Sequence, residues 1–305
     1  MYPRITDILY DLFGFRSPIP IYSFGFMVAV AILTAAWLGG KEADRLYRDG
    51  KLPPIRIPVR DKQGKGKRKA ETEQVSPSAL MGPAVLIAVI GGFGGAKLFH
   101  ILENLPDFLQ DPMGMIFNRG GFTFYGGLIV AALGIAYYVR KHGVSPARFA
   151  DILAPTLILG YGIGRIGCHL AGDGDWGVVS NLAAKPAWLP TWFWAETYPR
   201  NILDVTLTQP VYPTPLYEFL GALVLFGILW AIRKHPFRPG WLFSVYLVFA
   251  GLERFLIEKI RVNNQFDFFG YTMTQAEAIS IVFIAAGIIG IVLTSKRIDA
   301  TPATS

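Results

Sequence analysis

The sequence predicts an all-α polytopic membrane protein of about seven transmembrane helices, with its N-terminus outside and its C-terminus in the cytoplasm. Three observations carry this expectation. Of 305 residues, 52% are hydrophobic and the mean hydropathy is +0.39; the apolar residues are gathered into long runs separated by charge. Spanning a hydrocarbon core of roughly 30 Å takes about 20 mainly apolar residues, and seven runs approach that length. Lysine and arginine fall mostly in alternate loops, the pattern of a topology signal.

Taken in order, the run at 21–40 is long enough to span, shows no small-residue cleavage site and leads into a basic segment, so it reads as an uncleaved helix and not a signal peptide. The loop 41–80 carries eleven lysines and arginines and reads as a basic cytoplasmic loop near anionic headgroups. Runs at 80–102 and 122–139 are clear spans. The run at 149–168 is the weakest, because it contains Asp151, Arg165 and many glycines; a re-entrant segment is an open alternative. The segment 169–213 holds Trp176, Trp188, Trp192, Trp194 and Tyr198 among prolines and is expected to rest externally at the membrane interface. It reads equally as an aromatic belt or a substrate-gripping arm. The last three spans are expected at 215–232, 241–258 and 275–294, and 1–305 is expected to be one integral-membrane domain.

The loops assigned to the cytoplasm hold nineteen cations and those assigned to the outside seven. That asymmetry accounts for the net charge of +7 as an orientation signal, and no nucleic-acid partner is expected. Cys168 stands alone, which excludes an internal disulfide and a multi-cysteine metal site. No metal and no cofactor is expected.

Three cations, Lys97, Arg165 and Arg254, fall inside predicted spans. Charge in hydrocarbon is costly and normally marks a protein interior or a watery path. With the predicted orientation all three lie in the external half, at a depth shared by His100, Tyr125, Glu218, Glu258 and Arg261. Snorkelling to the headgroups remains open for Lys97 and Arg261. Arginines open to the external leaflet point to phosphate, whose oxygens a guanidinium bonds in a fork, and so to an anionic phospholipid.

Arg254, Glu258 and Arg261 follow i, i+4, i+7 spacing on one helix face, which suits one carboxylate flanked by two guanidiniums or a structural salt-bridge ladder. Glu253 points elsewhere, toward another helix. GYGIGRIG at 160–167 contains a literal GxGxxG, but no strand precedes it, so dinucleotide binding is rejected in favour of close helix packing. GGFGG at 91–95 reads the same way. Asp173 and Asp175 in GDGDWG form a turn or an arginine partner more readily than a metal site.

These residues resemble a known family. DILAPTLILGYGIGRIGCHLAGDGDWG at 151–177 resembles the signature of prolipoprotein diacylglyceryl transferases, in which a glycine-rich turn precedes an essential arginine, here Arg165. FYGGLI at 124–129 is similar to the family's HGGL element, YPTPLYE at 212–218 to its HPSQLYE, and GLERFLIEKIR at 251–261 to its second arginine motif. TMTQ at 272–275 resembles the start of its last helix, and GAKLFH at 95–100 an element with arginine where Lys97 stands. The chain departs from the pattern at Tyr125 and Tyr212, where the family has histidine, and at Cys168, where it has asparagine. The family's acidic residue near Gly172 corresponds to Asp173 or Asp175.

The resemblance implies transfer of a diacylglyceryl group from phosphatidylglycerol to the lipobox cysteine of a preprotein at the external side of the bacterial inner membrane. It implies Arg165 and Arg254 on the phosphate, with Lys97, Glu258, Arg261, Glu218, Cys168 and Asp173 as further substrate contacts. Tyr125 or His100 would handle the proton. A lipid or organic-anion transporter with an arginine-lined site is the competing reading.

Overall fold

The computed structural model describes residues 1–15, 17–58, 72–118, 120–268 and 270–297. Arg60, Lys62, Lys65, Lys67, Arg68 and Lys69 of the predicted basic loop, with Arg16 and Arg119, therefore lie outside the described residues. A helix covers each of the seven apolar runs: α2 (Ser23–Arg48), α3 (Met81–Glu103), α6 (Phe124–Lys141), α7 (Pro146–Ala171), α9 (Thr214–Ile232), α10 (Trp241–Glu258) and α11 (Gln275–Thr294). Shorter helices are α1 (Ile5–Phe13), α4 (Leu105–Gln110), α5 (Pro112–Phe117) and α8 (Thr191–Trp194). Five helical segments, Ser23–Arg48, Pro77–Glu103, Pro146–Ala171, Thr214–Ile232 and Gln275–Thr294, are long and apolar enough to cross a membrane; the chain is a multi-pass membrane protein.

One open alternative closes and one expectation changes. The weakest run belongs to one continuous 26-residue helix that carries Pro155 in its interior. At 1.5 Å per residue it is about 39 Å long, enough to span, so a re-entrant turn is not what this stretch forms. The chain is also not purely helical: Ile55–Pro58 (β1) pairs antiparallel with Thr72–Val75 (β2), and Gln265–Phe268 (β3) with Tyr271–Thr274 (β4). Strands of four residues are invisible to a hydropathy window of span length. In the second pair Gly270 supplies the positive φ of +83° that the turn needs, and its N–H donates to Asp267 Oδ1 at 2.9 Å.

Two compact units share the chain, 1–35 with 153–305 and 36–152, so that α2 and α7 contribute to both. The first unit has its core in Ala154, Ile158, Ala222, Leu229, Leu242 and Val245. Between apolar helices in lipid, hydrophobic burial gives little drive and close van der Waals approach decides. Glycine supplies it: a Cβ on Gly162 would sit 2.7 Å from Ala222 Cβ, and one on Gly167 3.0 Å from Met27 Cβ. Gly251 and Gly287 serve the α10–α11 contact likewise, each with a neighbouring carbonyl inside 3 Å. The entry to α11 is fixed by a capping box between Thr274 and Glu277.

In the second unit α3 and α6 pack through GGFGG and the YGG of α6, as the sequence leads one to expect. Added Cβ atoms would lie 2.5 Å from the Gly92 carbonyl at Gly127, and 2.3 Å from Phe99 Cβ and 2.7 Å from the Gly95 carbonyl at Gly126. Gly126→Ala is therefore expected to cost about 1–3 kcal/mol by overpacking, read as a lowered Tm in detergent micelles. Gly82→Ala, where a Cβ meets nothing within 4 Å, should leave Tm unchanged or raise it.

Candidate functional site

Arg165 leaves α7 nearly two turns before its end at Ala171 and is 8% exposed, and Glu218, in the first turns of α9, is fully buried at 0%. Arg165 Nε donates to Glu218 Oε2 at 2.7 Å and its Nη2 pairs with the same oxygen. The other carboxylate oxygen, Oε1, accepts from Tyr161 Oη at 2.8 Å and faces Arg254 Nη1 at 3.4 Å and Arg261 Nη1 at 3.5 Å. One buried carboxylate thus meets three guanidiniums and a phenol. Arg254 continues to Glu258, Nη2 to Oε2 at 2.6 Å, and Glu258 Oε1 accepts from Asn263 Nδ2 at 2.6 Å.

Asp175 closes the cluster by accepting from Arg165 Nη1 and Arg261 Nη2. The loop that brings it there is set by local chemistry. Gly172 and Gly174 take φ of +62° and +97°, which lets the chain reverse directly after α7. Gly177 N donates to Tyr212 O and Val178 N to Ile260 O, both at 2.8 Å, and Thr214 Oγ1 donates to the Asp175 carbonyl at 2.7 Å. A Cβ on Gly177 would lie 2.6 Å from the Ile260 carbonyl, so only glycine fits where the loop meets the end of α10. Burial opposes charge on the Asp175 carboxyl, but the Arg165 and Arg261 guanidiniums outweigh it and hold the group below its usual range.

Three cations and three carboxylates balance in this cluster. Arg165 Nη2 and Arg261 Nε are nonetheless buried without a well-aligned hydrogen bond among the described residues, so donor capacity is left over. Cys168 Sγ lies 3.5 Å from Arg165 Nη1. The thiol, Asp173 and Asp175 place one possible ligand atom each within 4.8 Å of one another. Two guanidiniums already occupy Asp175, and their charge repels a cation, so this donor set does not fit a metal.

The structure thus brings together Arg165, Arg254, Glu218, Glu258, Arg261 and Cys168. It corrects one reading and decides between two aspartates. Glu258 does not sit between both arginines of its helix: Arg261 follows the end of α10 and turns to Asp175 and Glu218, which leaves Glu218 as the shared acid. Of the two aspartates, Asp175 carries the arginine contacts, whereas Asp173 Oδ1 accepts from Asp175 N at 3.3 Å. Glu253 packs toward α9, its Cγ 3.7 Å from a Cβ placed on Gly221. Tyr161 and Asn263 were not foreseen. The i, i+4 spacing of Tyr161 and Arg165 on one helix face was the available signal for Tyr161; Asn263 follows the helix and had none.

Lys97, His100 and Tyr125 belong to the second unit. Lys97 Nζ donates to the carbonyls of Asn118 and Gly120 at 3.1 and 3.0 Å and stands 5.2 Å from the Phe122 ring centroid. His100 Nδ1 is 3.3 Å from Asn104 Nδ2. Together with Asp107, Asp111, Met115 and Asn118, Lys97 and His100 line an open cavity of 340 Å³. Tyr125 is half-buried at the second position of α6. In the segment 169–213 the tryptophans divide: Trp188 and Trp192 are 81% and 59% exposed, while Trp176 packs on Tyr198 and Trp194 on Tyr212.

Residues 63–293 match the family model described as prolipoprotein diacylglyceryl transferase. Proteins named phosphatidylglycerol–prolipoprotein diacylglyceryl transferase are similar along almost the whole length. One from Vibrio cholerae is 31% identical over 301 residues, covering 97% of this chain and 94% of its own. Others from Stenotrophomonas maltophilia and Enterococcus faecalis are 30% and 28% identical, over 92% and 96% of this chain and 90% and 92% of theirs. The chain belongs to the prolipoprotein diacylglyceryl transferase family. It is a transferase.

Removing the shared acid leaves three guanidiniums facing one another. Glu218→Ala is expected to destabilise the protein by about 3–5 kcal/mol, measured by denaturant titration in micelles. For Asp175, whose folded value is depressed, the contribution to stability is present above the ordinary aspartate value of 3.8 and is lost as pH falls through the lower folded value. Asp175→Asn should remove this contribution at neutral pH, so that the stability gap between wild type and variant narrows only in the strongly acidic range.

Proposed function

We propose that this chain transfers the diacylglyceryl group of phosphatidylglycerol to the thiol of a lipobox cysteine in a secreted preprotein, at the external side of the bacterial inner membrane. The observation that carries this reading is the convergence of Arg165, Arg254 and Arg261 on Glu218 in a member of this family. The sulfur attacks the glyceryl carbon that bears the phosphate ester, a C–S bond forms, and the C–O bond breaks with glycerol phosphate leaving. Charge accumulates on the departing phosphate, and fixed guanidiniums in a low-dielectric setting stabilise it without reorganising. Arg165 and Arg254 would take this role, with Glu218, Glu258, Arg261, Cys168 and Asp175 orienting them or the headgroup, and Asp173 shaping the loop.

The thiol, with an ordinary pKa near 8.5, must lose its proton to react. From the sequence alone we also propose Tyr125 or His100 as the acceptor and Lys97 as a headgroup contact. Cys168 is no covalent nucleophile in this scheme, since the attacking sulfur arrives with the preprotein. The same reading includes seven spans with the N-terminus outside, the C-terminus and segment 41–80 cytoplasmic, 169–213 at the external interface, one integral-membrane domain, and no nucleic-acid partner. A transporter is not favoured, given the family.

The test is release of glycerol phosphate and lipidation of a lipobox peptide by purified protein in phosphatidylglycerol micelles. Arg165→Ala and Arg254→Ala are each expected to lower turnover by at least about 100-fold, in the range of losing an oxyanion-type donor. A folded wild type that binds the lipid and never modifies the peptide would overturn the proposal.

A further inference from the structure

Glu218 is offered more donors than it has room for. A carboxylate accepts at about four lone-pair sites, two on each oxygen. Arg165 takes Oε2, through Nε at 2.7 Å and through Nη2. On Oε1 the Tyr161 hydroxyl donates at 2.8 Å, while Arg254 Nη1 and Arg261 Nη1 stop at 3.4 and 3.5 Å. A guanidinium and a carboxylate normally close to about 2.7–2.9 Å. The two arginines stand alike: each commits Nη2 to a second acid, Arg254 to Glu258 and Arg261 to Asp175, and leaves Nη1 short of Glu218. A neutral donor therefore holds a place that either of two charged ones could take. Its hold has a structural basis. Tyr161 and Arg165 are four residues apart and share a face of α7, so one helix supplies a charged donor to Oε2 and a neutral donor to Oε1. The Tyr161 ring packs against the core that contains Ile158 and Ala222, which fixes where its hydroxyl points.

Resting on the phosphate reading above, we propose that Tyr161 is a positioning residue for phosphatidylglycerol: its hydroxyl occupies Glu218 Oε1 and so keeps the Nη1 groups of Arg254 and Arg261 open to the lipid phosphate. Without the hydroxyl, both Nη1 groups can move onto the vacated oxygen. Charge-assisted hydrogen bonds, roughly twice as strong as neutral ones, would hold them there, and a phosphate would have to break those bonds before it could bind. With the hydroxyl in place, Oε1 is satisfied without consuming positive charge. A phosphodiester oxygen then meets two donors that are poorly placed for Glu218 and lose little by turning away from it. Tyr161 touches Glu218 and acts on the lipid only through the arginines, so its effect falls on binding and not on C–S bond formation.

Tyr161→Phe keeps the ring and deletes the donor. In full-length protein in neutral-detergent micelles, its dissociation constant for phosphatidylglycerol should rise about tenfold, the upper range of what one neutral hydrogen bond is worth. KM for the lipid should rise with it while kcat holds, the pattern of lost binding. A purely structural role would lower Tm and kcat together and would not single out KM. A ring-fluorinated tyrosine at position 161 has nearly the same shape and a stronger phenol donor, so it should bind the lipid more tightly than wild type. Affinity is thus expected to follow donor strength from phenylalanine through tyrosine to fluorotyrosine. The fluorinated protein decides the matter if Tyr161→Phe does not fold, because it keeps the packing. Unchanged lipid affinity in either variant, or a loss confined to kcat, overturns the proposal. A wild type that binds no phosphatidylglycerol would overturn it together with the phosphate reading. Failure of a lipid-binding wild type to modify the peptide would instead strike at the transferase proposal, because the affinity series is read from binding alone.

Discussion

The first unit depends on one carboxylate. Glu218 has no exposure and takes three guanidiniums and a phenol onto two oxygens. In water such a group would be worth little, since exposed ion pairs contribute up to about 1 kcal/mol. Inside the protein the sign of the argument changes. Each arginine is tolerable in an apolar setting only because an acid meets it, and removal of the acid strands several charges at once. The geometry of the arginines is consequently a property of Glu218 more than of the helices that carry them.

Those helices nevertheless have to approach closely enough for side chains from α7, α9 and α10 to share two oxygen atoms. Gly162 lets α7 meet Ala222 of α9 at a separation no larger residue permits. Gly177 lets the loop after α7 lie on the end of α10, which delivers Asp175 to Arg165 and Arg261. The glycines and the charges of GYGIGRIGCHLAGDGDWG are therefore two parts of one device. Small residues set the backbone distance, and the distance lets the ion pairs form.

Much of this was legible in the sequence because membranes impose strong rules. Apolar length gave a helix over every expected run, and intramembrane charge singled out Lys97, Arg165 and Arg254, of which the two arginines meet at Glu218 and Lys97 binds the carbonyls of Asn118 and Gly120 in the second unit. The errors share a cause: sequence spacing describes one helix at a time. The spacing of Arg254, Glu258 and Arg261 suggested a single ladder, but α10 ends at Glu258 and the chain turns Arg261 toward a loop eighty-six residues earlier in sequence. The choice between Asp173 and Asp175 hinged on a turn built from two left-handed glycines, and a pattern of letters does not say which side chain such a turn aims inward. Tyr161 looked like one more aromatic residue in a span, because nothing local announces that its hydroxyl meets an acid from another helix.

A balanced cluster poses a problem for any anion that must bind to it. Guanidiniums that already hold carboxylates do not offer a phosphate a full positive charge, and adding the single negative charge of a phosphodiester to a neutral set would leave the site negative. Two features ease the conflict. Arg261 Nε retains donor capacity, and Asp175, 35% exposed, lies where water can reach it when it gives up an arginine. Glu218 has no such exit, since it is sealed from solvent, and its charge can be withdrawn from the site only by a proton. The Tyr161 hydroxyl, which donates to Glu218 Oε1 at 2.8 Å, already holds one face of that carboxyl, so the same acid that builds the site at rest is the group whose charge decides how freely the arginines can turn to a phosphate.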